Sequence, residues 1–391
     1  MKIAFFSNYL NHHQLPLCSA LDRLTNHQFT FVATMPTPQF RIKVGYHDMN
    51  KQYPFVLTTY DNLENQAAAM VLAQNSDVVI AGSAPEIYTQ TRIQKNKLTF
   101  RYSERIYKEG LHKALRPRTI ASRLIYHTRH VTKPLYMLCA SAYTPFDFAL
   151  TGAYLGKTYK WGYFPEVKQL DVNALLERKC ENKKPVILWA GRLVEWKHPE
   201  IAIEIATRLK TAGIEFELQI IGNGVLEENL KASIQQNGLN DCVHMLGAMP
   251  PEAVRNHMEA ADIFLFTSDF NEGWGAVLNE SMNSACAVVA SHAIGSVPFL
   301  IDDGKNGFIY KNGDEDSLYE RVVQLVKNPG LREEMGRNAY RTLAEQWNAE
   351  VAAERFIALA QALVDGKKAD LFDDGPCSKA RVLKNGWYKG K

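Results

Sequence analysis

The sequence of 391 residues contains no run of about eighteen apolar residues, the length an α-helix needs to cross a bilayer. Its start, MKIAFFSNYL, alternates like a strand and lacks both a long apolar stretch and a small-residue cleavage site. Cysteine is sparse: Cys18, Cys139, Cys180, Cys242, Cys286 and Cys377 are scattered, with no CxxC pair and no metal-site spacing. Cys139, Cys242 and Cys286 sit among apolar neighbours and read as small core residues in a reducing compartment. The expected location is therefore cytoplasmic. No short internal repeat is present either. At 46% hydrophobic residues, the chain is long enough for two domains, each with its own core.

Net charge is small, +3, but unevenly spread. Residues 1–170 carry twenty bases and ten acids, a balance of +10, and residues 171–391 balance at −7. Twelve Lys/Arg against Glu104 and Glu109 fall within 91–134. That block is either the solvated face of two helices or a surface for anionic lipid heads or a phosphorylated acceptor. A peripheral contact with the inner membrane face is the expectation it raises. No nucleic-acid partner is expected.

Short apolar runs alternate with helical patterns. KIAFFS, QFTFVAT, PFVLTTY, DVVIAGS, KLTFRYS, YMLCAS and KWGYF predict strands, and NLENQAAAMVLAQN and SERIYKEGLHKAL predict helices between them. After a polar stretch at 171–184 the pattern restarts with PVILWAGR, FELQIIG, CVHMLG, DIFLFTS and AVVAS. Strand–helix alternation implies an α/β protein with parallel sheets covered on both faces. The expected division is 1–170, 171–346, a helix over 347–365 crossing back to the first domain, and a basic, poorly ordered tail over 366–391.

The strongest chemical signal is TSDFNEGWGAVLNESMNSACAVVAS, 267–291. A strand ends, a loop reaches Glu272, and Gly273-Trp274-Gly275 leads into a helix carrying Glu280. Glycines let the backbone approach a ligand, and the free amides of a helix start suit a diphosphate. Two carboxylates there can accept from two sets of sugar hydroxyls. The plain alternative is that Glu272 caps the helix and Glu280 is a surface acid. In ILWAGRLVEWKHPE, a buried strand ends before Arg192, and Lys197 opens a helix. Cations at a helix start oppose its dipole, and a strand's carboxyl end is where open α/β sheets bind ligands. Gly222, Asn223 and Gly224 follow the next strand, and Gly247 and Ala248 the one after. Asp314-Glu315-Asp316 fits an Asp-x-Asp metal motif but opens a helix, so acidic N-capping is expected and metal is not.

GRLVEWKHPE, IIGNG, HMLGAMPPEAVRNHMEAADIFLFTSDFNEGWGAVLNESM and IDDGKNGFIY resemble the C-terminal half of family 4 glycosyltransferases of the GT-B fold, over about 185–345. The E-x7-E pair of that family matches as Glu272 and Glu280. The resemblance implies two Rossmann-like domains facing across a cleft, a nucleoside diphosphate sugar as donor, retention of configuration, and no metal or cofactor. It places Glu272 on the donor sugar, Glu280 on the ribose, and Arg192 and Lys197 on the diphosphate. The amides of Gly275, Ala276 and Val277 would surround the phosphates. Expected donor contacts thus comprise Glu280, Gly273, Trp274, Gly275, Ala276, Val277, Gly222, Asn223, Gly247 and Ala248, with Glu272, Arg192 and Lys197 carrying catalysis.

The N-terminal half departs from the family. The loop after the first strand reads SNYLNHHQLPL, without the usual Gly-Gly, and FRYSERIYK stands where many relatives have a histidine. His12, His13, Ser103, Glu104 and Arg105 are the acceptor-side candidates, against a loop without special duty and a Glu104–Arg105 surface bridge. The implied reaction is hexosyl transfer, UDP favoured over GDP, to a saccharide or lipid-linked acceptor in cell-surface polysaccharide or glycolipid synthesis. The rivals are a sugar-nucleotide epimerase and a non-catalytic sugar-nucleotide-binding subunit.

Overall fold

The computed structural model describes residues 1–39, 42 and 47–390. The chain forms two compact units, one of Met1–Glu166 with Trp347–Lys384, the other of Val167–Gln346 with Asn385–Lys391.

The first unit is built on seven strands: β1 (Ile3–Ser7), β2 (Phe29–Ala33), β3 (Val56–Thr58), β4 (Val78–Ala81), β5 (Thr99–Ser103), β6 (Leu135–Cys139) and β7 (Thr158–Lys160). Their order is β3-β2-β1-β4-β5-β6-β7, every pairing parallel. All residues of β1 and β4 are buried, as continuous apolar runs in a sheet covered on both faces must be. Order reverses between β1 and β4, so the chain leaves a crevice at their carboxyl ends. The helix Ala349–Val364 belongs to this unit, setting Phe356 edge-on against Phe100 of β5, with ring centroids 5.1 Å apart.

The second unit repeats the plan with six strands: β8 (Val186–Ala190), β9 (Glu217–Ile221), β10 (Val243–Gly247), β11 (Ile263–Phe266), β12 (Ala287–Ser291) and β13 (Phe308–Tyr310). Their order, β10-β9-β8-β11-β12-β13, is again all parallel and reverses between β8 and β11. The helix Pro199–Thr211 shows why the core forms: Ile201, Ile203, Ile205, Ala206 and Leu209 bury against the β-sheet residues Ile187, Leu218 and Ile220. Asp314 caps the helix Glu315–Lys327 by accepting from the Ser317 amide at 3.0 Å, and Asp316 pairs with Arg208 at 2.9 Å. The acidic triplet thus serves a helix start, as its position predicts.

Four expectations are corrected. SERIYKEGLHKAL is not a helix; it holds only a 3-10 turn over Leu111–Leu115. The buried Asp147 carboxylate takes the amides of Ile106 and Tyr107 at 2.8 and 3.1 Å, giving the backbone a partner outside any helix. KWGYF is no strand: β7 stops at Lys160. The sheet of the second unit continues to β13, whose three residues are too few for a legible alternation. The tail does not hang free. Cys377 and Ser378 are buried, and the tail exchanges backbone bonds with β7: Lys160 N to Ser378 O at 2.8 Å, Cys377 N to Lys160 O at 2.8 Å, and Ala380 N to Thr158 O at 3.0 Å. An edge strand carries unpaired backbone groups, and this segment satisfies them. Further on, the Tyr388 hydroxyl donates to Ile309 O of β13 at 2.7 Å, so Tyr388 is a packing residue of the second unit.

No helix among the described residues is long and apolar enough to cross a membrane. Within the basic block, the helix Pro117–Tyr126 buries none of its residues, and Leu115, Leu124, Ile125 and Val131 are exposed beside its arginines.

Candidate functional site

In the second unit, four adjacent strands, β10, β9, β8 and β11, end on one edge of the sheet. Arg192 and Lys197 follow β8, Gly222 and Asn223 follow β9, Gly247 ends β10 with Ala248 after it, and the segment 267–276 follows β11. The site candidates of this half therefore gather at one edge, around the place where strand order reverses.

At that place Lys197 Nζ donates to Glu272 Oε2 at 2.5 Å. Both side chains are nearly buried, 12% and 11% exposed. A buried ion pair holds only while both partners stay, since removing one strands the other charge in a poor solvent. Ser268 Oγ adds a bond to the same carboxylate oxygen at 3.2 Å. The Lys197 ammonium lies 4.8 Å from the centre of the Trp196 ring and the Arg192 guanidinium 5.4 Å from it, so an indole face holds both cations at the edge. Glu272 is not a helix cap: the helix Val277–Asn283 has Ala276 at its cap position, with no side-chain bond.

Glu280 sits on that helix, half-buried, and no described residue gives its carboxylate a hydrogen bond or an ion pair. Burial pushes its carboxyl up to about 7, against the opposing pull of Arg255. Hydroxyl donors would favour its charged form. The amides of Gly275, Ala276 and Val277 precede the first closed bonds of this turn, Leu278 N to Gly275 O at 3.0 Å and Glu280 N to Ala276 O at 3.2 Å. They are the unsatisfied donors of a helix start. Trp274 points inward, fully buried, its indole N–H donating to Asn279 Oδ1 at 2.9 Å. It is thus a packing residue, and any ligand contact at 273–275 falls to the backbone.

Two glycines serve the protein's own packing. Gly222 has φ +142°, and a Cβ there would stand 1.8 Å from Gly191 O. Gly275 has φ +82°, and a Cβ there would meet the Phe266 ring at 2.4 Å. The loops after β8 and β9 consequently close on each other, with Leu193 N donating to Asn223 O at 2.8 Å. Asn223 and Ala248 are exposed, and the Gly247 carbonyl is taken by the Gly222 amide at 2.8 Å.

Sequence reasoning missed the groups that hold these loops together. The Thr267 hydroxyl lies 2.7 Å from Lys197 O and 2.9 Å from His198 O, and accepts from the Trp189 indole at 2.9 Å. Asp269 N donates to Trp196 O at 3.1 Å. His198, left-handed at φ 51°, faces Asp269 at 3.6 Å and Glu200 at 2.8 Å. Those two carboxylates, Asp269 foremost, raise its imidazole to about 9. The only sequence signal was position, in the polar residues ending DIFLFTS and opening the helix at KHPE.

In the first unit the structure separates the acceptor-side candidates. Arg105 is fully buried; it faces Asp147 at 3.4 Å and lies over the Tyr143 ring at 4.8 Å. Asp147 holds it in the interior, in place of the expected surface bridge to Glu104. The Ser103 hydroxyl is spent on Glu104 O at 2.7 Å. Glu104 accepts from the Tyr163 hydroxyl at 2.5 Å and from Lys108. His12 and His13 are half-buried with ring centroids 3.7 Å apart. Tyr163, which the sequence placed only within the predicted strand KWGYF, contacts both His13 and Glu104.

The His198 cluster generates a pH prediction. A histidine raised from 6.5 to about 9 on folding stabilises fully below pH 6.5, and that contribution is lost as pH rises through about 9. His198→Asn keeps a residue that tolerates the left-handed backbone. The stability gap between the wild type and this variant, from urea melts, should be largest below pH 6.5 and shrink toward pH 9; a gap constant across that range would contradict the assignment.

Comparison with known proteins bears on this edge. The glycosyl transferases group 1 family profile matches residues 176–342. The amylovoran biosynthesis glycosyltransferase AmsK of Erwinia amylovora is 37% identical over 144 residues, which is 36% of this chain and 35% of that protein. The putative colanic acid biosynthesis glycosyltransferase WcaL of Salmonella typhimurium is 29% identical over 179 residues, 44% of each. These matches span less than half of either relative's length. Among solved structures, HepE of Anabaena in complex with UDP superposes with a TM-score of 0.68 at 17% identity, covering 93% of this chain and all of that one. The sucrose-phosphate synthase of Thermosynechococcus elongatus gives 0.65 at 14% identity, covering 94% of this chain and all of that one. The site edge lies wholly within the segment that the glycosyl transferases group 1 profile matches, and both sheets lie within the two-domain Rossmann-like fold shared with these structures.

Proposed function

We propose that the protein transfers a hexose from a nucleoside diphosphate sugar, UDP in preference to GDP, to a saccharide or lipid-linked acceptor in cell-surface polysaccharide or glycolipid synthesis, with retention at the anomeric carbon. The observation that carries this is the pairing of Lys197 with Glu272 at the strand-order reversal of the second unit, followed on the next helix by Glu280, whose carboxylate no described residue bonds. The amylovoran and colanic acid assignments of the relatives support the setting.

On this reading donor entry exchanges partners. The diphosphate takes Lys197 and Arg192, and Glu272 is released to accept from the sugar's hydroxyls while Glu280 accepts from the ribose. The amides of Gly275, Ala276 and Val277 face the phosphates. As the bond from the anomeric carbon to the β-phosphate oxygen breaks, charge gathers on that oxygen, and the two cations stabilise it in place. The acceptor oxygen bonds to the same face of the carbon, and its proton passes to the departing phosphate. The exposed leucines and arginines around 115–131 suit an anionic lipid surface that would present such an acceptor.

Thermal stabilisation by UDP-, GDP- and TDP-sugars tests the reading. The expected result is a shift with UDP-sugars that Glu280→Ala abolishes. Glu272→Ala and Lys197→Ala should each lower donor use about ten- to a hundredfold, the value of charge-assisted bonds. No shift with any nucleotide sugar, or unchanged turnover in both variants, would overturn it. A shift without transfer to any acceptor would favour the non-catalytic subunit. In the same preparation, failure to sediment with anionic vesicles would remove the membrane contact alone.

A further inference from the structure

The carboxylate of Glu272 is held unevenly. Lys197 Nζ and Ser268 Oγ both donate to its Oε2, the serine at 3.2 Å, and no described residue bonds its Oε1. The backbone on either side is fixed: the Glu272 amide donates to Asp269 O at 3.1 Å, and the Glu272 carbonyl accepts from Gly295 N at 3.3 Å. The stem is confined as well, since a Cβ added at Gly275 would stand 3.2 Å from Glu272 Cγ. The terminal torsion of a glutamate is broad and shallow. The donors on Oε2 therefore decide which way Oε1 faces.

Those two donors are not equivalent. Lys197 is a cation on a flexible stem, which a diphosphate competes for. Ser268 is neutral and 1% exposed, and its hydroxyl has Glu272 as its described partner, so it has neither the charge nor the reach to follow a phosphate. We infer that Ser268 is a positioning residue: once the diphosphate has drawn Lys197 away, its hydroxyl keeps Oε2 and leaves Oε1 presented to a hydroxyl of the donor sugar. This rests on the sugar-transfer reading above and adds what orients the nearly buried carboxylate after its counter-ion has gone. In the empty protein Lys197 still occupies the same oxygen, so loss of the serine hydroxyl there removes only the weaker of two bonds. A serine that merely satisfied a buried carboxylate would act on the empty protein and on every ligand alike.

The test is calorimetric titration of the full chain with UDP and with UDP-glucose, UDP-galactose and UDP-N-acetylglucosamine, the tightest of the three serving as donor probe. Wild type, Ser268→Ala, Glu272→Ala and the double variant are compared. Ser268→Ala should keep its affinity for UDP and lose about tenfold or more for the UDP-sugar. Because Ser268 acts through Glu272, the double variant should bind the UDP-sugar no more weakly than Glu272→Ala alone. The inference is overturned if Ser268→Ala binds the UDP-sugar as the wild type does, if it loses UDP and UDP-sugar in equal measure, or if the two substitutions add in full. Loss in Glu272→Ala without loss in Ser268→Ala overturns the inference and leaves the sugar-transfer reading standing. A wild type that binds none of the three UDP-sugars, or a Glu272→Ala variant that binds them undiminished, overturns both.

Discussion

The Lys197–Glu272 pair is the constraint on which the second unit's working edge depends. Its two side chains come from loops separated by two strands in sequence, after β8 and after β11, which are neighbours in the sheet. Apolar burial fixes the strands, but it does not fix the loops beyond them. The loops are fixed by polar closure: the ion pair, the Thr267 hydroxyl on the Lys197 and His198 carbonyls, and the Asp269 amide on Trp196 O. A largely buried pair is a poor source of net stability, because desolvation offsets most of its attraction. Its worth lies in geometry. It stores a cation and a carboxylate together, already oriented, at a position where a diphosphate could separate them.

The first unit solves a different problem with the same architecture. Its last strand, β7, has three residues and a free edge, and the segment around Cys377 and Ser378 covers that edge by backbone pairing. Its carboxyl edge is crossed by the return of the chain through Trp161–Phe164. The loop after β1 thereby gains a neighbour, Tyr163, and the aromatic and acidic side chains there form one surface. Within the basic block, Leu115, Leu124, Arg116, Arg118 and Arg129 lie in solvent, whereas Arg92 and Arg105 are buried.

The legible part of the fold was what depends on period and punctuation. Continuous apolar runs located β1, β4, β8 and β11, and the glycine-bearing loops after β8 and β11 offered Arg192, Lys197, Glu272 and Glu280 as candidates, which the family resemblance reinforced. What failed to show depends on partners distant in sequence. Asp147 pulls Arg105 inward and unwinds the expected helix at 103–115, from about forty residues away. The tail is polar and reads as loose, yet an unpaired strand edge more than two hundred residues earlier gives it a place. β13 was too short for any period to register. At Gly222 the sequence shows a turn, and the close approach to Gly191 O that it permits depends on a strand pairing the sequence does not print.

The most direct measurement is hydrogen exchange of the whole protein with and without UDP, read peptide by peptide. The account predicts slowed exchange in 191–198, 222–224 and 272–280, with Gly275, Ala276 and Val277 among the protected amides. Protection confined to residues 1–166, or bound UDP that protects none of these three segments, would contradict it.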